Sequence, residues 1–312
     1  MTSRDDRFLL RRQNIEKARA ANKITRATLQ IRKWIIHERY VRQQKPRDYN
    51  LPVSATNLLI TVAFNDSWLI KLQSRALRQF LNDDYHLVVV DNSPDIEKSS
   101  EIRDAAGVEG YTYVPAPKNP YSWLDPSLSH SLALDWAWRN IAKHIEPDIV
   151  VFLDHDIFPI SHTTVRGLLG GALASGYRRI SGARWLLWPG LLALSFRRVE
   201  RFTPTFMPRR DTDSGGSMWW RVYSRVPESE IRFLEREELI FGDTSKRIGD
   251  GSSGEVHLLD DHWLHLVDGS GWGDGIGKIG RLPLEAGQLS LEKLVSFAHS
   301  LRRHKKASDA SS

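Results

Sequence analysis

The chain has 312 residues, 41% of them hydrophobic and 26% charged, which is enough for one large domain or two small ones with an ordinary core. There is no cysteine, which excludes disulfides, thiolate zinc sites and cysteine nucleophiles, and no run approaches the roughly 18 apolar residues that a membrane-spanning helix needs. The net charge of +6 is unevenly placed: residues 1–47 hold fourteen Lys and Arg against four acids, so this arm carries +10 and the remainder −4.

Near the start, Phe8-Leu9-Leu10 gives way at once to Arg11-Arg12, so no signal peptide is expected and a cytoplasmic location is. Residues 7–42 read as one or two basic helices with a thin apolar stripe of Phe8, Ile15, Leu29 and Ile36, interrupted by Asn22. Two readings stand side by side. One is an arm that binds anionic lipid, peripheral at the inner membrane face, or another acidic partner. The other is a solvated helix that docks on its own domain or on a second subunit. A linker follows at Gln43–Pro52.

The body alternates strands and helices. Strands are predicted at Asn57–Ala63, His86–Val90, Tyr111–Val114 and Asp148–Leu153, and helices at Asp66–Asn82, Pro94–Ala106 and Ser127–Ile145. Continuous apolar strands between amphipathic helices imply an α/β fold whose mainly parallel central sheet is covered on both faces. Such sheets bind ligands at the carboxyl ends of their strands. Beyond Asp156 the pattern loosens. It predicts a helix over about Thr163–Ala174, strand-like pieces at Arg179–Trp185, Leu191–Phe196, Glu238–Phe241 and His262–Val267, a helix at Met218–Tyr223, a last helix at Ser290–Arg303 and a disordered Lys305–Ser312.

Asp154-His155-Asp156 ends a buried apolar strand. Two carboxylates one residue apart can share a hard divalent cation, Mn2+ or Mg2+, together with phosphates bound to it; the plainer reading is a pair of loop acids capping a turn. Asp91-Asn92 also ends a buried strand, where an acid can take a ribose hydroxyl or a base N–H, although Asp91-Asn92-Ser93-Pro94 is a strong turn sequence by itself. The first strand ends in Ala63-Phe64-Asn65-Asp66, so three strand ends converge on one rim.

Taken in order, LLITVAFND, HLVVVDNSPD, SLSHSLALDWAWRN and DIVVFLDHD resemble the nucleotide-sugar-binding half of family-2-like glycosyltransferases with the GT-A fold, over roughly residues 57–160. The resemblance implies a nucleotide-diphosphate-sugar donor and transfer to a glycan, lipid-linked or protein acceptor, with inversion and with Mn2+ or Mg2+. It implies Ala63, Asn65, Asp91, Asn92, Asp154 and His155 around the nucleotide-sugar, and Asp154 and Asp156 on the metal. The second half is less similar. Asp211-Thr212-Asp213-Ser214-Gly215-Gly216 is like an element that carries the base for the acceptor hydroxyl, so Asp213 and Asp211 both qualify, with Gly215 and Gly216 on the acceptor side; alternatively Asp213 or Ser214 only caps the next helix. His262–Leu266 resembles the segment whose histidine completes the metal shell, and His265 fits that place; the plainer reading is a core histidine. Trp185, Trp188, Trp219 and Trp220 offer faces for an acceptor sugar, although most of the eleven tryptophans belong to the core.

Gly275–Gly280 fits GxGxxG, but no buried strand precedes it and Pro283 blocks the helix that a dinucleotide site needs. VFLDHD also matches the aspartate motif of haloacid-dehalogenase-like phosphatases, but it lies on the wrong strand, with Phe158 where that motif has Thr or Val. The expected organisation is a basic extension over 1–49, a GT-A-like domain over 50–285 divided near 160 into nucleotide-sugar and acceptor halves, and a helix with a tail over 286–312. The rivals are a nucleotidyltransferase on a similar fold, disfavoured because Ala63–Asp66 lacks a Gly-rich basic loop, and a non-catalytic protein recruited through the arm.

Overall fold

Asn57–Ala63 forms β1, buried at every position, because its apolar run is long enough for a strand and too short for a helix. The structure, a computed structural model, describes residues 23–43, 51–119, 121–122, 125–181, 184–209, 212–242, 253–267 and 290–309. Before β1 comes α1 (Lys23–Val41). After it the chain runs through α2 (Ser67–Phe80), β2 (His86–Asp91), α3 (Ile96–Val108), β3 (Thr112–Pro115) and α4 (Pro126–Ala137), then through a π turn to β4 (Ile149–Asp154).

β3, β2, β1 and β4 lie side by side in that order, all parallel. Beyond Asp154 come β5 (Ile157–Pro159), α5 (Val165–Leu169), β6 (Ala174–Ser181), β7 (Arg184–Ser195), α6 (Phe196–Val199), α7 (Met218–Arg221) and β8 (Ile231–Leu234). β7 joins β4 antiparallel, β6 joins β7 antiparallel and β8 closes the edge parallel to β6. The result is a mixed α/β fold whose seven-stranded central sheet, order β3-β2-β1-β4-β7-β6-β8, has only β7 running against the rest. Helices flank it, as the apolar strands require: α4 packs with β1, β2 and β4 residues on one face, while Leu59, Leu87, Val151 and Leu153 pack with α5 on the other.

A second sheet was not foreseen. β5, β11 (Trp263–His265), β10 (Ser253–Leu259) and β9 (Arg236–Gly242) form it in that order, antiparallel throughout. It packs on α2 and on the last helix, α8 (Leu291–Asp309). α8 corrects the expected disordered tail, because it continues through Lys305 to Asp309. The helix expected over Thr163–Ala174 shrinks to α5, which Gly170 stops in the left-handed conformation (φ 62°).

Residues 37–43 of the basic arm dock on the body. Tyr40 and Val41 are buried, the Tyr40 hydroxyl donates to the Pro117 carbonyl, and Trp136 Nε1 of α4 donates to the Gln43 carbonyl. His37 meets Asp135 of α4 at 2.8 Å. Residues 1–22 of the arm lie outside the described residues.

Candidate active site

The chain leaves the central sheet at Asp154 and enters the second sheet at Ile157, so His155-Asp156 forms the corner between them. Buried Gln73 of α2 donates its amide to the carbonyls of Asp154 (2.9 Å) and Ile157 (2.7 Å), and the Leu266 N–H donates to the Asp156 carbonyl (3.0 Å). These bonds occupy the backbone groups that a corner would otherwise leave bare. Antiparallel pairing of β11 with β5 sets His265 directly opposite Ile157.

A cavity of about 240 Å³ opens at this corner. Its walls come from the end of β1 (Val62, Phe64), the end of β2 (Asn92), the corner itself (Asp154, His155, Asp156), the first turn of α4 (Ser127, Ser129, His130), Trp188 of β7, and Asp213-Ser214. Three strand ends thus meet one rim, and the acid of the second half faces them.

The electrostatics are specific. His130 Nε2 lies 3.1 Å from Asp154 Oδ1, a charge contact without the alignment of a hydrogen bond. Burial disfavours the imidazolium, but the Asp154 carboxylate outweighs it and raises the pKa of His130; in return Asp154, which burial would raise, is held below the usual carboxylate range by His130. His155 Nδ1 donates to the Val62 carbonyl (3.0 Å), and its buried Nε2 has no partner among the described residues. Burial pushes its pKa down, so the ring presents a lone pair.

His265 is pushed down to about 3 by burial and by His257, whose Nδ1 is 3.2 Å from its own. When His265 Nδ1 carries the hydrogen towards His257, its Nε2 is a lone pair, 3.9 Å from Asp156 Oδ2. Trp188 lies against this ring with centroids 4.7 Å apart. Trp188 reaches the cavity because of a bulge. Gly176 pairs with Leu192 and Arg178 with Leu187, so Trp188–Leu191 stand opposite Tyr177 alone, where Pro189 breaks no ladder bond.

Asp213 is built in from three sides. Its Oδ1 accepts the Ser127 hydroxyl and the Ser214 N–H (2.8 Å), and its Oδ2 accepts Arg179 (2.7 Å). Burial alone would raise its pKa, but these donors lower it. Gly215 sets the loop: its φ of 87° suits glycine, and a Cβ there would stand 3.2 Å from the Leu187 carbonyl.

Other expected residues fall differently. Asp91 lies just behind the rim, accepting from the Ser93 N–H (2.9 Å), the Tyr113 hydroxyl (2.8 Å) and Ser99, and it organises the turn that carries Asn92. Ala63 is fully buried, and its carbonyl accepts the Asn92 N–H. Asn65 adopts φ 58° and donates its N–H to Ser93 Oγ. None of these three lines the cavity. Trp185 does not reach it either: it stacks on Tyr223 (5.0 Å) and meets Trp219 and Phe233 edge-on in the core. Gly216 packs against Thr212, and Asp211 lies outside the described residues.

Sequence reasoning missed Ser127, His130 and Arg179. Ser127 and His130 are polar residues three apart near the start of α4, a spacing that puts them on one face. No local pattern marked Arg179.

Comparisons with known proteins give no matching family model and no matching curated protein. Among solved structures, the chain is similar to the mannosyltransferase PcManGT of Pyrobaculum calidifontis in complex with GDP-Man and Mn2+, at 17% identity and TM-score 0.39, covering 59% of this chain and 56% of that one. It is similar to the bifunctional glycosyltransferase WbbM at 12% identity and TM-score 0.39, covering 61% of this chain and 40% of that one. For TarS of S. aureus the figures are 14% and 0.34, covering 48% and 30%. The chain thus spans about half the length of the first two.

Proposed function

We propose that this chain is a GT-A-like glycosyltransferase that moves a sugar from a nucleotide-diphosphate sugar to an acceptor hydroxyl, with inversion. The observation that carries the reading is the single cavity in which the ends of β1, β2 and β4 face Asp213 across Trp188. Parallel sheets place ligands at this edge. Residues 50–160 would hold the donor, and 161–285 the acceptor side.

A cavity of about 240 Å³ suits the diphosphate-sugar end of a donor rather than the whole of it. The positive end of α4 faces this space, with the Ser129 hydroxyl and the His130 ring beside it. The ribose and base would then lie over Asn92 and His155, whose unpartnered Nε2 accepts a hydroxyl proton. Trp188 offers an aromatic face for a sugar ring.

The acceptor oxygen would give its proton to Asp213 as it bonds the anomeric carbon, while the bond from that carbon to the diphosphate breaks and leaves its electron pair there. Arg179 and Ser127 keep Asp213 ionised and aimed. Asp211 is the second candidate for this role.

Two carboxylates and a neutral imidazole are donor types that Mn2+ and Mg2+ accept. Asp156 and His265 come together as such a pair, whereas Asp154 is turned towards His130, and among the described residues no three groups converge on one point. Asp156 and His265 would therefore be the residues that hold the ion. When bound, it would offset charge on the leaving diphosphate.

The test is thermal shift with UDP, GDP, dTDP and CMP, with and without Mn2+, for wild type and Asp156→Ala. A nucleotide shift that needs the metal and is lost in the variant supports the reading and names the base. A folded wild type that responds to no nucleotide overturns it.

A further inference from the structure

A second cavity, larger than the one at the sheet edge, lies elsewhere on the molecule. A groove of about 920 Å³ runs along the seam between α1 and the body. One wall is α1, with Lys33, Trp34 and His37; the other holds Thr203–Thr205, Met207–Arg209 and Trp220-Arg221; Arg139 and Lys143 stand just beyond the end of α4. Five Lys and Arg line it against two carboxylates. Both carboxylates are engaged: Asp135 holds His37 at 2.8 Å, and Glu38 lies 3.3 Å from Arg42. Among the described residues, Arg139, Lys143, Arg209 and Arg221 have no ion-pair partner, so the described lining of the groove carries a cationic surplus.

Its aromatic content is as particular as its charge. Arg209 and Arg184 both stack on the Trp220 ring, at 4.1 and 4.4 Å from its centroid, which fixes two guanidinium groups beside an indole. Trp34, 59% exposed, supplies a second indole on the facing wall. An exposed indole facing fixed guanidinium groups suits a chain of sugar rings bearing acidic groups: a ring stacks on Trp34, and the carboxylates or phosphates pair with the arginine forks that Trp220 holds. A bilayer is flat on this scale and meets a convex face, whereas a chain one sugar wide can lie between two walls.

The same stretch of chain borders this groove and the candidate active site. Met207, Pro208, Arg209 and Ser217 face the groove, and Asp213 and Ser214 face the smaller cavity. From His130 to Ala137 along α4 is about 10 Å at the rise of a helix, the length of two linked sugars, and Arg139 follows in the π turn.

We propose that this groove binds an anionic oligosaccharide, and that the acceptor is a chain of that class, held by its acidic rings while its terminal hydroxyl reaches Asp213. The acceptor role rests on the transferase reading; the affinity of the groove for an acidic glycan does not.

The experiment titrates the full chain with hexagalacturonate, a hexasaccharide carrying a carboxylate on every ring. Maltohexaose serves as the neutral control, and vesicles of phosphatidylcholine with phosphatidylserine as the lipid probe. The expected result is binding of hexagalacturonate that weakens steeply with salt, little response to maltohexaose, and at least a tenfold loss of affinity in Arg139→Glu/Lys143→Glu. Trp220→Ala, which leaves the charge in place, should weaken it severalfold. Nucleotide thermal shifts should be unchanged in both variants, so a failed donor site and a failed groove give different results. Equal affinity in wild type and charge-reversal variant overturns the proposal. So does a variant that loses vesicle binding while keeping hexagalacturonate, which would make the seam a membrane seat.

Discussion

Asp135→Ala probes the joint between the basic arm and the segment that leads to Asp213. Asp135 is 5% exposed and serves three donors: His37 Nε2 at 2.8 Å, the Thr205 hydroxyl at 2.7 Å and the Phe206 N–H at 2.8 Å. Removing one partner of a buried charge pair costs about 3–5 kcal/mol. Three separate bonds to a charged acceptor would sum to more, but water from the adjoining groove can satisfy some of the abandoned donors. In a chain of this size each kcal/mol moves Tm by about 1.5 °C, so a fall of roughly 5–8 °C is expected. The fall should depend on pH. Burial lowers the pKa of His37, but Asp135 outweighs it and leaves it raised. A raised folded pKa contributes stability that is fully present below the unfolded value of about 6.5 and is lost as pH rises through the folded pKa. The Tm gap between wild type and variant should therefore be widest near pH 6 and narrower at pH 9, as scanning fluorimetry at the two pH values would show. Because the Phe206 carbonyl also receives the Gly215 N–H, the variant should lose turnover as well. A Tm within 2 °C of wild type at both pH values, or a gap that widens with pH, would refute the reasoning.

Arg179→Ala should move the acid limb of kcat/KM to higher pH, because Asp213 loses a donor that holds its pKa down; a pH profile with an unmoved limb would exclude Asp213 as the base. Gly215→Ala forces a side chain into φ 87° beside the Leu187 carbonyl, so stability should fall by about 1–2 kcal/mol and kcat should drop while the nucleotide thermal shift survives. The two tryptophans of β7 should separate: Trp185→Ala, which hollows a cluster of Trp219, Tyr223 and Phe233, should cost about 3–5 kcal/mol in urea denaturation, whereas Trp188→Ala should act mainly on substrate affinity. Equal destabilisation by both would remove the distinction between core and cavity.

The first half of the fold was legible because its signals are local. NLLITVA, HLVVVD and IVVFLD are strands long enough to be recognised and too uniformly apolar to face water, and their order with α2, α3 and α4 leaves a parallel sheet as the simple solution. From them follows the rim that carries Asn92 and Asp154–Asp156. The second half offers shorter, mixed segments. β7 holds Pro189 and Gly190 inside a strand, which reads as a break; only its pairing with two neighbours of different register turns that break into a bulge. The antiparallel second sheet is likewise made of pieces as short as Trp263–His265, which carry no periodicity of their own.

The same distinction separates the parts of the site. Asp154 and Asp156 were visible because one strand end carries both. The partners that set their chemistry come from elsewhere: His130 lies in the first turn of α4, Arg179 on β6, Asp213 in a loop that Gly215 holds against β7. Ser127 and Asp213 are 86 residues apart, and Arg179 and Asp213 34 apart, so each contact is a product of the sheet order and not of any motif. This explains why Trp185 and Trp188, three apart on one strand, have opposite fates. An unbroken strand alternates its faces and would send them to opposite sides of the sheet, so alternation alone accounts for their separation. It does not account for the reach of Trp188 to His265 at the corner of the two sheets, because the bulge opposite Tyr177 is what re-aims it. A residue's type can nominate it for stacking on a sugar; whether it stands in the cavity or in the core depends on where its strand departs from regularity.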